Sequence, residues 1–254
     1  MSETVFKKRY TSSQLRLIAA RVGLREGWDF SRMNTAHPPT PWDYTAVVRS
    51  LLRPTDSVID IGAGGGERLL ELRANARSLL GVDPDDQMIR RARTNSAAVG
   101  AVNVRFEVGT GRDVEGPFDL VINRHAPFEP HIVHRLLGPG GQFVTQQVGE
   151  HNMANVKAAF HRATHDEPTI QPGVFIEAGF TIQRFTEYNV DYVIRDIESL
   201  IFWLQALDIA HSDFDGFDPE RDVDHINELL SSSMAAEGLV TNEHRYLLVA
   251  TRTT

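Results

Sequence analysis

The sequence predicts an α/β fold built on a parallel sheet with helices on both faces. Three observations carry that expectation. Short apolar runs of buried-strand type alternate with helical segments from Val58 to Gly149. The connections between them are brief, as in sheets covered on both faces. The first strand runs into a glycine-rich turn, VIDIGAGGGERLL (Val58 to Leu70), that opens a helix.

The elements follow in order. Thr11 or Ser12 is placed to cap a helix whose Leu15, Ile18, Ala19 and Val22 share one face. HPPTPWDYT, His37 to Thr45, is broken by prolines and reads as a linker. TAVVRSLL is amphipathic and leads through Arg53-Pro54-Thr55 into the strand SVIDIG. SLLGVD, VRFEVG, FDLVIN and GQFVTQQVG are the next strands, separated by the helical segments ERLLELRANA, DDQMIRRARTNS and HIVHRLL. LGPGG, Leu137 to Gly141, reads as a turn that stops one helix and opens a strand. Beyond Gly149 come a helix, ANVKAAFHRATH, and FTIQRFTEYNVDYVI, long enough for a strand with an extension. HRYLLVATR, His244 to Arg252, is the last strand. The segment before it is mostly helical, with an Asp/Gly/Pro break at Ser212 to Pro219, and reads as an insert. The expected organisation is one domain: a helical N-terminal cap over 1–41, a core over 42–194 and 244–254, and a helical insert over 195–243.

Composition narrows the function. The chain has 254 residues, 41% of them apolar and 24% charged, an ordinary balance for a globular protein. No cysteine is present, which removes disulfides, thiolate nucleophiles and thiolate metal sites. No apolar stretch approaches the ~20 residues that span a bilayer. The start, MSETVFKKRYTSSQ, lacks an apolar core of signal type, so cytoplasmic residence is expected. A net charge of −8 argues against a nucleic-acid partner. Charge is uneven: Met1 to Arg32 holds seven Lys/Arg against three Asp/Glu, and Asp191 to Glu243 thirteen Asp/Glu against two Arg. The acidic stretch serves as a solvated face or steers a cationic substrate.

Bare backbone between a strand and a helix is an anion or nucleoside cradle, because no side chain blocks the approach of a ligand. A phosphate loop needs Gly-Lys-Ser/Thr, and here Glu67-Arg68 follows the glycines. A dinucleotide fingerprint starting at Gly62 meets Glu67 where its last glycine belongs, which weakens that reading without removing it. The spacing that fits is D-x-G-x-G-x-G: Asp60, Gly62, Gly64 and Gly66. Asp83 follows 17 residues after Gly66, at the end of the second strand, where a carboxylate accepts from both hydroxyls of a ribose.

At these residues the chain resembles the class I S-adenosylmethionine-dependent methyltransferases. VIDIGAGGG looks like their first motif and GVDPDDQMI like the second. FEVGTGRD and FDLVINRH look like the third and fourth, and LLGPGGQFVTQQ like the turn and strand that follow. The resemblance runs from about Trp42 to Gly149 and resumes in the last strand. It implies a Rossmann-like, seven-stranded, mostly parallel sheet with an antiparallel last strand. It also implies S-adenosyl-L-methionine as cofactor, with S-adenosyl-L-homocysteine as product. Gly62, Gly64 and Gly66 would lie against the methionine part, Asp60 would hold that loop and favour the ammonium, and Asp83 would take the ribose. Met88 matches the position that packs on adenine. Thr110 stands where the family usually has an aspartate, so adenine would be held by this hydroxyl or by backbone at Gly111 and Arg112. Asn123 would face the methionine end.

Displacement at a sulfonium needs alignment and exclusion of water more than acid–base chemistry. His125, directly after the fourth strand, is the candidate catalytic residue, because strand carboxyl ends are where open α/β sheets bind ligands. Arg124 beside it is a candidate for a substrate carboxylate or for bracing the loop. Of Gln146 and Gln147, one should face the site and one the other side of the sheet. His131 and His134 lack an acidic or cysteine partner of metal-site spacing, so no metal is expected. The acceptor expected is a small molecule, without nucleic acid or membrane. The alternatives are an RNA methyltransferase and a cofactor-binding module without turnover.

Overall fold

The computed structural model describes residues 6–23, 30–160, 170–208 and 217–253. They begin with α1 (Ser12–Val22), capped by Thr11, which exchanges hydrogen bonds with Gln14 in a reciprocal box. A two-residue strand, β1 (Thr35–Ala36), follows, and then α2 (Tyr44–Leu51), whose first turn is capped by Asp43.

The alternating part unfolds largely as the apolar runs predict: β2 (Ser57–Ile61), α3 (Glu67–Glu71), β3 (Ser78–Asp83), α4 (Asp86–Ala98), β4 (Val104–Val108), a 3₁₀ turn at Gly111–Asp113, β5 (Phe118–Arg124), α5 (Pro130–Leu136) and β6 (Leu137–Val148). Then come α6 (Ala154–Ala159), α7 (Pro172–Glu177), β7 (Phe180–Ile194), α8 (Ile197–Asp208), α9 (Val223–Ser233), β8 (Met234–Ala235) and β9 (Gly238–Arg252). Among the described residues the strand order is β1-β7-β9-β6-β5-β2-β3-β4, with β8 on β9. The pairs β2–β3, β2–β5, β3–β4 and β5–β6 are parallel, and β9, the last strand, is antiparallel to β6. Without the two-residue β1 and β8 this is the seven-stranded, Rossmann-like order.

Several boundaries differ from the sequence pattern for identifiable reasons. ERLLELRANA helps form a helix only to Glu71. After it the side-chain amide of Asn103 takes the carbonyls of Arg73 and Ala76, which a continuing helix would need for itself. LGPGG is not a free turn. Leu137 already pairs with Phe118, and the ladder resumes at Leu120 and Gln142, so these residues bulge inside β6 with Gly140 at φ 74°. The last strand begins six residues earlier than the apolar run suggests. Met234–Ala235 turn back on Gly238–Leu239 as a tight hairpin, where a continuing helix was expected. The far end of ANVKAAFHRATH and most of the Ser212–Pro219 break lie outside the described residues.

The chain divides into two compact units, and β7 and β9 contribute to both. One comprises 40–149, 168–187 and 245–254. Its core is Ile59, Val82, Val121, Phe143, Phe175 and Leu248 with their neighbours, all buried. The other comprises 1–39, 150–167 and 188–244 and packs Leu15, Val156, Ile201, Phe202, Ile226 and Leu229. Among the described residues no helix is long and apolar enough to cross a membrane.

Candidate cofactor and acceptor site

The site grows out of the carboxyl end of β2. Gly62, Gly64 and Gly66 all take positive φ (80°, 53° and 76°), a region that side chains resist. The loop is pinned to the next strand by the amides of Gly62 and Ala63, both donating to the Val82 carbonyl at 2.8 and 3.0 Å. Each glycine is bare for its own reason. A Cβ on Gly62 would lie 2.1 Å from the Ala126 Cβ, and one on Gly66 2.5 Å from the Phe106 ring. A Cβ on Gly64 would meet nothing within 4 Å, so this residue borders open space.

Asp83, ending β3, is aimed by backbone. One carboxylate oxygen accepts from the Gly64 amide and the other from the Asp85 amide, each at 2.9 Å. Its remaining lone pairs are the ones a ribose diol would use. Its carbonyl takes the Gly109 amide at 3.0 Å, which draws the 109–113 loop beside it. Met88 is half-buried in the first turn of α4.

Asp60 is buried, and among the described residues no hydrogen-bond donor reaches its carboxylate. Desolvation, then the negative charge of Asp83, push its pKa up to about 7, with Arg124 opposing. A buried acid with no donor, beside a backbone cradle and a ribose-type carboxylate, fits a ligand carrying a positive amino group. That is the chemistry of S-adenosylmethionine, and these residues fit it.

Other expected site residues hold different places. Thr110 is exposed and caps the 3₁₀ turn: its hydroxyl donates to Asp113 at 2.8 Å and receives the Arg112 amide at 3.2 Å. The carboxylate at this corner is therefore Asp113, three residues later than the family position. Gly111 is buried under Ile61, while the Arg112 side chain points outward to Glu129. Asn123 was expected to face the methionine end of the cofactor. Its side chain is fully buried against the glycine loop. It donates to the carbonyls of Ile61 (2.8 Å) and Ala126 (3.1 Å) and accepts from Thr145 and Gln147. It braces the loop from behind.

On the opposite face of the same strands sits a second set. His125 has φ 56°, unusual for a side chain-bearing residue, and its amide donates to the Gln146 carbonyl. The Trp42 indole donates to Gln146 Oε1 at 2.8 Å, so the amide nitrogen of Gln146 faces His125 Nε2 at 2.9 Å. An amide nitrogen only donates, so Nε2 must accept; the imidazole is neutral with its proton on Nδ1. Desolvation by the surrounding loop, then Arg245, Arg124 and Arg68, hold its pKa well below the usual range. The His125 side chain is exposed. Tyr44 is buried, donates to the Asn123 carbonyl at 3.0 Å, and lies under the Arg124 guanidinium, 5.8 Å from its ring centre. The two glutamines divide as strand alternation requires: Gln146 toward His125 and Trp42, Gln147 toward Asn123. Sequence reasoning missed the locking of His125 by Trp42 and Gln146, and the approach of Arg68 and Arg245. Arg245 is 120 residues from His125 and gave no local signal. His131 lies 3.7 Å from Glu129 and His134 packs edge-on against Phe180; among the described residues no acidic or histidine cluster forms a metal site.

The sheet is Rossmann-like, and the geometry at the end of β2 fits a nucleoside ligand with a cationic head. Residues 58–141 match the methyltransferase domain family. Over those residues the chain is similar to methyltransferase domains. It is 35% identical over 98 residues to protein-L-isoaspartate O-methyltransferase 1 of Polaromonas sp., covering 37% of this chain and 41% of that protein. It is 34% identical over 77 residues to the uncharacterized methyltransferase YcgJ of Bacillus subtilis, covering 29% and 30%. The matched segment thus spans less than half the length of these relatives. The crystal structure of YcgJ superposes with a TM-score of 0.62 at 18% identity, covering 83% of this chain and 98% of that one. A SAM-dependent methyltransferase of Methanosarcina mazei gives 0.51 at 16%, covering 82% and 97%. These likenesses carry the fold.

Proposed function

We propose that the protein transfers the methyl group of S-adenosylmethionine to a small-molecule acceptor by in-line displacement. The observation that carries this reading is the donor-less buried Asp60 beside an open Gly64 and an Asp83 already aimed by two backbone amides. When bound, the cofactor supplies a methyl group activated by its sulfonium charge. Gly62, Gly64 and Gly66 leave backbone free to lie along the methionine part, and Asp60 receives the ammonium. Asp83 accepts from the ribose hydroxyls, Met88 covers one face of the adenine, and Thr110, Gly111 and Arg112 line its edge. His125 touches the acceptor through Nδ1–H and orients it. With Nε2 engaged by Gln146, it takes no proton while that bond holds, so the reading favours an acceptor atom that is soft or already ionised.

A small acceptor is supported by charge. The net −8, with the acidic surplus between Asp191 and Glu243, opposes the phosphate backbone that an RNA acceptor would bring. The test supplies the cofactor labelled in its methyl group to a dialysed cell extract and, separately, to the dialysate. Label should move into the dialysate compounds. Label confined to retained RNA or protein would overturn the small-molecule reading, and cofactor binding without transfer would favour a binding module.

A further inference from the structure

Arg124 is held in place at the carboxyl end of β5, where its charge also reaches Asp60. Its Nε is buried and has no hydrogen-bond partner among the described residues. Buried donors without acceptors are rare in folded proteins, and a charged one left unpaired is costly. Its guanidinium is fixed over the Tyr44 ring.

Two more arginines converge on the same place. Arg124 is the register partner of Gln146, and Arg245 that of Val148. Register partners and residues two apart share a face, so Arg124, Gln146 and Arg245 project from one side of the sheet. Arg68, in the first turn of α3, acts on Arg124 and His125 through its charge, as Arg245 does. Two carboxylates act on Arg124 through their charge. Asp43 faces Arg124, but one of its oxygens is engaged with the Ala46 amide. Asp60 also faces it and is close to half-protonated at neutral pH. Arg68 shares Glu71 at 3.9 Å on an exposed surface.

Resting on the methyltransferase reading above, we infer that the acceptor is a carboxylic acid whose carboxylate is held by Arg124, with Arg68 and Arg245 supplying further positive potential. A planar guanidinium with a free donor matches a carboxylate. Asp60 and Asp83 nearby favour a monoanion over a phosphate dianion, which they would repel more strongly. His125 Nδ1–H is a further donor on the adjoining loop.

The test is calorimetric, on the intact protein saturated with S-adenosylhomocysteine. Acetate and benzoate are titrated against their neutral isosteres acetamide and benzamide. At least one acid should bind about tenfold or more tightly than its amide, and Arg124→Gln should weaken that acid by about ten- to hundredfold. Arg124→Lys should recover part of the loss, and the exposed Arg68→Gln should weaken it severalfold in a protein whose folding is not in question. The inference is overturned if neither acid outbinds its amide, or if Arg124→Gln and Arg68→Gln leave acid binding unchanged. It is also overturned if Arg124→Gln weakens S-adenosylhomocysteine itself about tenfold, since the arginine would then hold the cofactor's own carboxylate. Failure of wild-type protein to bind S-adenosylhomocysteine is a different result: it removes the methyltransferase reading, and the acids can still be titrated on the ligand-free protein.

Discussion

Asp60→Asn should stabilise the ligand-free protein while damaging the site. Asp60 rises from an ordinary 3.8 to about 7 on folding, chiefly because burial strips water from its charge. Between those two values the folded protein holds a proton that the unfolded chain has released, so stability falls as pH rises through this window. Above pH 7 the fold carries the full cost, ~4 kcal/mol. An asparagine avoids the charge but buries an amide without partners, at a cost of ~1–2 kcal/mol. The net expectation is a gain of ~2–3 kcal/mol at pH 8, and none, or a small loss, near pH 4. Urea unfolding of both proteins at pH 5 and pH 8 measures the difference. Equal differences at the two pH values, or a mutant weaker at pH 8, would refute the reasoning.

The other substitutions separate fold from ligand. Asn123→Ala takes the side-chain donor from the Ile61 carbonyl and the acceptor from the Thr145 hydroxyl, while Gln147 still reaches the Ala126 carbonyl, and should cost roughly 2–4 kcal/mol in urea unfolding; a loss under ~1 kcal/mol would contradict its bracing role. Gly62→Ala, with its Cβ driven onto Ala126, should cost about 2–5 kcal/mol of stability. Gly64→Ala meets open space, so its cost is the left-handed backbone alone, ~1–2 kcal/mol, while its cofactor affinity should fall more than that. Nitrogen NMR of His125 should show a neutral ring protonated on Nδ1 throughout pH 6 to 8. Trp42→Phe, which frees the Gln146 amide to turn, should erode that preference, and a ring titrating normally would refute the locked arrangement.

The sequence makes the cofactor half legible and the acceptor half obscure, for one physical reason. Asp60, the three glycines and Asp83 act through local backbone: a strand end, a left-handed turn and the next strand end, within 24 residues. Their spacing alone implies their geometry. Gln146, Trp42 and Arg245 act across the sheet, and nothing near them in sequence reports which strand will be their neighbour. Asn123 stands at the expected strand end, and its buried amide takes the Ile61 and Ala126 carbonyls. Thr110, expected at the adenine, also caps a turn that brings Asp113 to the same corner. The early stop of α3 and the bulge in β6 were hidden likewise, since Asn103 and Phe118 reach them from distant strands.

The most direct measurement of the account is calorimetric titration of S-adenosylhomocysteine into wild-type protein and Asp83→Ala, with circular dichroism confirming that both are folded. One saturable site in the wild type, weakened about tenfold or more in the variant, is the predicted result. Heat absent from the wild type, or equal affinity in the two proteins, would contradict it.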